Sequence, residues 1–143
     1  MAIEPMKYPR SGYDKVAGIY YFARMLDKIR LHAKGELPTD YHTYLSKGMD
    51  GRCTRYLHVD YAALAERVKA GASDEDVFGW CESTGRKLSE DEILAWNAFV
   101  SKRGWKDEAS QTLQEVKERS GLGARKDIET FFEYFEVDEK RKP

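Results

Sequence analysis

Residues 19–33 read IYYFARMLDKIRLHA, and their apolar positions recur with a helical period. The periodic residues are Ile19, Phe22, Leu26, Ile29 and Ala33. Their spacing by three and four positions places them on one face of an α-helix, because a helix turns once every 3.6 residues. We therefore predict a helix over residues 13–34, with its apolar stripe centred near Leu26.

Start and stop signals divide the rest of the chain into further helices. A serine followed three residues later by an acidic residue has the form of a capping box or a close variant of it, and this occurs at Ser11, Ser73 and Ser89. Glycines follow four of the amphipathic stretches, where a helix end favours a left-handed residue. These signals predict helices over residues 13–34, 40–47, 51–58, 60–70, 74–83, 90–103, 107–120 and 127–136.

These patterns predict an all-α protein, a compact single-domain bundle of about six to eight helices. No sustained period-two alternation indicates a strand. The 143 residues fit one domain over 1–143. We expect residues 1–10 to form an extended arm and the charged residues 138–143 to form a frayed tail.

Composition excludes several classes of protein. With 24 basic and 25 acidic residues the net charge is −1, which gives no general attraction to nucleic acid. The longest apolar run, residues 16–23, is too short to span a membrane. The two cysteines, Cys53 and Cys81, are typical of reduced thiols in a cytoplasmic protein. No metal-ligand spacing is present, and we expect no cofactor.

The two halves of the chain differ in charge and in chemistry-bearing residues. Residues 1–70 contain 12 basic and 8 acidic side chains, whereas residues 71–143 contain 12 basic and 17 acidic ones. Eight of the nine tyrosines and all three histidines lie at or before Tyr61. The acidic residues of the second half fall in first turns of predicted helices, where the helix dipole favours them. We therefore place the candidate site in the first half.

Arg30 lies at the inner edge of the predicted stripe, with Asp27 three residues earlier. A half-buried guanidinium needs a partner. One interpretation is an ion pair between Asp27 and Arg30 that fixes the helix to a neighbour. The other is a cleft in which Arg30 binds the carboxylate or phosphate of a ligand.

A second candidate is the loop KGMDGR, residues 47–52, followed by Arg55. Arg52 and Arg55 are three positions apart and would share a helix face, beside glycines that allow close approach to an anion. The alternative is a tight connection between helices, with Asp50 as a cap. The third candidate is a group of histidines and tyrosines, which can move protons or donate to an anion.

The sequence thus predicts a basic cleft that contains tyrosine and histidine. The predicted ligand-binding residues are Arg10, Arg30, Arg52, Arg55, Tyr20 and Tyr56, and the candidates for acid–base catalysis are His32, His42, Tyr41 and Asp27. The favoured function is binding of a small anionic molecule, a carboxylate or a phosphate. The alternatives are a small enzyme that performs acid–base chemistry on such a compound, and a protein-interaction or homodimer module. We expect neither nucleic acid nor membrane as a partner.

Several phrases occur in a familiar order between about Tyr8 and Glu139. They are YPRSGYDKVAGIYYFARMLDKIRLHAKGELPTDYH, KGMDGR, WC, WNAFVSKRGWKDE and ARKDIETFFEYFEVDE. In this order they resemble a bacterial family known only as domain of unknown function 5069. The resemblance implies a single small helical domain. It implies no reaction, cofactor or site residue.

Overall fold

The computed structural model describes residues 7–143, and this part of the chain is all-α. The α-helices are α1 (Phe22–Ala33), α2 (Met49–Leu57), α3 (Tyr61–Lys69), α4 (Asp74–Thr84), α5 (Glu90–Lys102), α6 (Ser110–Arg119) and α7 (Phe131–Asp138). A 3₁₀ helix (Thr39–Tyr44) lies between α1 and α2. The prediction of an all-α single domain of six to eight helices is confirmed.

Three of the predicted helix starts, at residues 60, 74 and 90, agree with the structure to within one residue. The side chains of Asp60 and Ser73 each accept a hydrogen bond from the backbone N–H three residues later, at 2.9 and 3.1 Å. Ser89 and Glu92 form a complete capping box at the start of α5. These caps satisfy N–H groups that the first helical turn leaves without partners, so a local signal was sufficient to predict them.

The predicted start of the first helix at residue 13 is wrong, because α1 begins only at Phe22. Residues 13–21 form turns, and Tyr21 just before the helix has a left-handed φ of 77°. The hydroxyl of Ser11 donates a hydrogen bond at 2.6 Å to Glu136. The sequence signal was therefore misread, since Ser11 makes a tertiary contact and caps no helix.

Three further boundaries also differ from the prediction. The helix predicted over 40–47 is the short 3₁₀ helix, and α6 begins at Ser110 after a turn in which Asp107 accepts two backbone N–H groups. The last helix, predicted from residue 127, begins at Phe131, where the Thr130 side chain provides its cap.

Helix α1 lies at the centre of the main core. Its residues Phe22, Met25 and Leu26 are fully buried, and it packs chiefly against α3. The main cluster draws apolar side chains from α1 to α5 and also Phe132 of α7. A smaller cluster between α6 and α7 is built around Leu113. Burial on several sides of α1 means that its charged side chains also lie inside the protein.

The most deeply buried of these charges is Arg24, whose side chain is 2% exposed. Its two terminal nitrogens donate to the carboxylate of Glu139 at 2.8 and 2.6 Å, and its guanidinium lies 4.1 Å from the centre of the Phe135 ring. Tyr41 donates to the same carboxylate at 2.5 Å. Burial alone would raise the pKa of Glu139, but hydrogen bonds from Arg24, Tyr41 and Arg141 hold it below its ordinary value.

A second buried group joins α1 to α2. Lys28 donates to Asp50 at 3.0 Å, and the hydroxyl of Tyr21 donates to the same carboxylate oxygen at 2.6 Å. Asp50 is fully buried and is the internal partner of these two groups, and α2 has no side-chain cap, in contrast to the alternative in which Asp50 served as a cap. Burial lowers the pKa of Lys28, although the neighbouring Asp50 opposes this effect.

The expectation of a frayed tail over 138–143 is wrong at three residues, since Asp138 belongs to α7 and both Glu139 and Arg141 make side-chain contacts. Glu139 is buried against Arg24, and Arg141 donates to Glu136 at 2.8 Å and to the carbonyl of Pro9 at 3.2 Å. These contacts hold the segment after α7 against Pro9. Residues 1–6 of the predicted arm lie outside the described part, and residues 7–10 have no regular secondary structure.

Within residues 7–143, no helix combines the length and apolar character needed to cross a membrane.

Replacement of Glu139 by alanine should strongly destabilise the fold. The substitution leaves the buried guanidinium of Arg24 without its carboxylate, and breaking such a pair costs roughly 3–5 kcal/mol. Urea unfolding followed by circular dichroism measures this change. The matched control is Lys142→Ala, which removes an exposed side chain three residues later and should change the free energy of unfolding by less than about 0.5 kcal/mol.

The same pair predicts a pH dependence. Because the pKa of Glu139 is lowered in the folded state, its stabilising effect is fully present above the unfolded value of 4.5 and is lost as the pH falls through the folded value. The difference in unfolding free energy between wild type and Glu139→Gln should therefore shrink below pH 4.5. A difference that stays constant down to pH 3 would contradict this assignment.

Candidate functional site

Arg10 and Arg30, two of the predicted ligand-binding residues, are held by carboxylates. Arg10 donates to Asp27 at 2.9 and 3.0 Å and lies 2.8 Å from Asp74. Arg30 donates to Asp74 at 2.7 Å and to the carbonyl of Ala72 at 3.3 Å, and it lies 3.4 Å from Asp27. Two guanidinium groups and two carboxylates thus form a neutral cluster that joins α1 to the start of α4.

The pKa values of Arg10 and Asp74 in this cluster are shifted by their contacts. Hydrogen bonding to Asp27 raises the pKa of Arg10, against the effect of burial. Burial would raise the pKa of Asp74, but the hydrogen bonds from Arg30 and Arg10 lower it. Both pKa shifts favour the charged forms of these side chains, so Arg10 and Asp74 remain paired as ions. Of the two interpretations of Asp27 and Arg30, the structure agrees with the ion pair that fixes α1 to a neighbouring helix.

The other predicted residues of the first half are also dispersed. The backbone of Tyr20 exchanges hydrogen bonds with Asn97 and Trp96 of α5, and its ring packs edge-on against Tyr13 and Phe132. His32 and His42 contact each other edge to face, with ring centres 4.8 Å apart.

Two of the candidates for catalysis have structural partners. Nε2 of His42 lies 3.0 Å from the carbonyl oxygen of Leu37, and the hydroxyl of Tyr41 is bound to Glu139. Burial and the charge of Glu139 raise the pKa of Tyr41. The polar contacts of His42 and Tyr41 are thus with Leu37 and Glu139, whereas those of Arg30 are with Asp27, Ala72 and Asp74.

A cleft of about 520 Å³ lies instead beside α2, where the end of this helix meets α5 and the loop after α4. It is lined by Arg52, Arg55, Tyr56, His58, Arg86, Ala95, Trp96 and Phe99. Three of the predicted ligand-binding residues, Arg52, Arg55 and Tyr56, are thus in one place. The volume is in the range of small-molecule sites.

The loop after α4 closes one end of the cleft through a tight backbone contact. A Cβ atom at Gly85 would lie 2.0 Å from the carbonyl oxygen of Leu57, so only glycine permits this approach. The backbone N–H of Arg86 then donates to that carbonyl at 3.1 Å, and its Nε donates to the carbonyl of Tyr56 at 2.6 Å. Arg86 therefore satisfies carbonyl groups at the end of α2.

Aromatic rings form a continuous wall of the cleft. The centre of the Tyr56 ring is 4.6 Å from the guanidinium of Arg86 and 5.3 Å from the centre of the stacked Trp96 ring. Trp96 in turn contacts Phe99 with ring centres 6.2 Å apart. The hydroxyl of Tyr56 donates to the carbonyl of Glu92 at 2.7 Å, which fixes the ring against α5.

The arginines of the cleft differ in whether a carboxylate neutralises them. Arg86 forms an ion pair with Glu92. Arg52 and Arg55 are exposed, and within residues 7–143 neither forms an ion pair with a carboxylate. The guanidinium of Arg52 lies 5.5 Å from the centre of the Phe99 ring. An anion in the cleft would therefore meet two uncompensated guanidinium groups beside an apolar wall.

Sequence reasoning missed His58, Arg86, Trp96 and Phe99 as part of this cleft. His58 ends α2 in the left-handed conformation, with a φ of 59°. Ala95, Trp96 and Phe99 share one face of α5, a spacing that the sequence shows, but nothing in it shows which helix this face meets. Among residues 7–143, no three His, Cys, Asp or Glu side chains are grouped so as to hold a metal ion.

The fold and the cleft define a small all-α domain with a basic, aromatic-lined surface site. The family model for the domain of unknown function (DUF5069) matches residues 6–141. The chain belongs to this family, as the resemblance noted in the sequence indicates. A search of the curated proteins finds no match.

Replacement of Gly85 by alanine should destabilise the protein and displace Arg86. The new methyl group would overlap the carbonyl of Leu57, and such overpacking typically costs about 1–3 kcal/mol. The matched control is Gly79→Ala in α4, where a Cβ atom meets nothing within 4 Å and helix propensity predicts a gain of about 0.5–1 kcal/mol. Thermal unfolding of both variants tests the assignment, which fails if the two substitutions have the same sign.

Proposed function

We propose that this protein binds a small organic anion, a carboxylate or a phosphate, in the cleft beside α2. The observation that carries the proposal is the pair Arg52 and Arg55, two guanidinium groups without a carboxylate partner that line a cleft with an aromatic wall. Guanidinium groups bind carboxylates and phosphates through paired N–H donors, and the apolar wall suits the carbon portion of the ligand.

The contrast with Arg10 and Arg30 supports this choice of site. Those side chains have their donors directed at Asp27 and Asp74, so an incoming anion would have to displace two carboxylates. Arg52 faces no such competition. The residues predicted for acid–base catalysis do not line the cleft, and we therefore propose binding in preference to catalysis. The proposal includes a cytoplasmic location, which the two free cysteines support.

Anion binding should depend on the arginines of the cleft and not on those of the neutral cluster. We expect benzoate or phenyl phosphate to shift the backbone amide signals of α2 in heteronuclear NMR titrations and to raise the melting temperature. A ligand at 100 times its Kd adds about 2.7 kcal/mol of stability. Arg52→Ala and Arg55→Ala should each weaken the affinity by about tenfold, the effect of losing about 1.4 kcal/mol.

Two variants serve as controls. Arg119→Ala removes an exposed arginine of α6 outside the cleft and should leave the affinity unchanged. Arg30→Ala should lower stability by about 1 kcal/mol through loss of partly buried ion pairs, but it should also leave the affinity unchanged. The proposal fails if neither anion binds, or if Arg30→Ala abolishes binding while Arg52→Ala and Arg55→Ala do not.

The alternative of a homodimer module is separable from ligand binding. The exposed rings of Tyr44 and Trp105 lie outside the residues that line the cleft. Light scattering at micromolar concentration, with and without the anion, measures the mass of the particle. A monomer that binds the anion supports the proposed function, whereas a dimer that binds no anion favours the alternative.

A further inference from the structure

The number of uncompensated charges in the cleft bears on the kind of anion that it binds. Arg86 is neutralised by Glu92, and Arg103 beyond Phe99 lies 3.6 Å from Asp107. Arg52 and Arg55 then remain as two positive charges without a carboxylate partner. A monoanion would compensate only one of them, whereas a dianion would compensate both.

The side chains of Arg52 and Arg55 line the same cleft. Arg52 and Arg55 are three residues apart on α2, which places their side chains next to each other on one helix face. A Cβ atom at Gly51 would lie 2.9 Å from a terminal nitrogen of Arg55, so this side chain folds back by one turn over the glycine.

The chemistry of a phosphate monoester matches this arrangement. At neutral pH it carries a charge of about −1.5 to −2 and three acceptor oxygens, which suit two forked donors. A carboxylate carries one charge and two oxygens, which a single guanidinium satisfies. The apolar wall at Ala95 and Phe99 lies next to Arg52 and suits the carbon skeleton that carries the phosphate.

We infer that the ligand of this cleft is a small organic phosphate monoester with an apolar or aromatic group, held by Arg52 and Arg55 with that group against Phe99. The inference rests on the proposed function and narrows it to one class of anion. Arg86 and Gly85 act here as positioning residues, because they fix the end of α2 and the Tyr56 ring and leave the two other arginines for the ligand.

The test compares four ligands on the full chain by calorimetry or NMR titration. Phenyl phosphate is the dianion, methyl phenyl phosphate is its singly charged diester, benzoate is the carboxylate, and inorganic phosphate lacks the ring. We expect phenyl phosphate to bind at least about tenfold more tightly than each of the other three, the ratio that about 1.4 kcal/mol produces. Arg52→Ala and Arg55→Ala should each reduce the preference for the monoester over the diester to about twofold or less.

The controls separate this inference from the broader proposal. Arg119→Ala should keep the full preference, and Arg52→Lys, which keeps the charge without the forked donors, should keep part of it. Equal affinity for phenyl phosphate, the diester and benzoate would overturn the monoester assignment while the proposed anion site stands. Equal affinity for phenyl phosphate and inorganic phosphate would overturn the role of the apolar wall. Absence of binding by all four would overturn both proposals.

Discussion

The cations of α1 set the main constraint on this fold, because the helix is buried and each charge needs a carboxylate from elsewhere in the chain. The cations are Arg24, Lys28 and Arg30, and their partners are Glu139, Asp50 and Asp74 in that order. One partner follows α7, one lies in α2 and one begins α4. An unpaired charge at these depths would be strongly unfavourable, so the pairs exclude packing arrangements that apolar contacts alone would tolerate.

Arginine has two separate uses in this small domain. Arg10 and Arg30 hold elements together and are neutralised by the protein itself. Arg52 and Arg55 lie on the exposed face of α2, and no carboxylate of residues 7–143 neutralises their charge. The distinction between a structural and a functional guanidinium therefore depends on its partners, and composition alone does not reveal it. The neutral cluster also explains why a charge-rich first half does not become a single basic surface.

The sequence predicted most helices because their signals are local. Asp60, Ser73 and Ser89 cap helices through bonds to residues three positions away, which any reader of the sequence can pair. Ser11 shows the same pattern, but its hydroxyl is bound to a residue 125 positions away. The helix start predicted from Ser11 is therefore wrong. Only the local part of the candidate site could be predicted from the sequence. The spacing of Arg52 and Arg55 is visible in the chain, whereas the approach of the loop after α4 depends on tertiary packing.

The bond between Arg24 and Glu139 also has a consequence for biosynthesis. The two residues are 115 positions apart, so a ribosome has to add the whole intervening chain before the guanidinium meets its carboxylate. Until then, the nascent α1 exposes an uncompensated cation next to the apolar residues that will form the core. Contacts of such long sequence separation form late in folding, so this ion pair is absent from any stage of synthesis at which the residues after α7 have yet to be added.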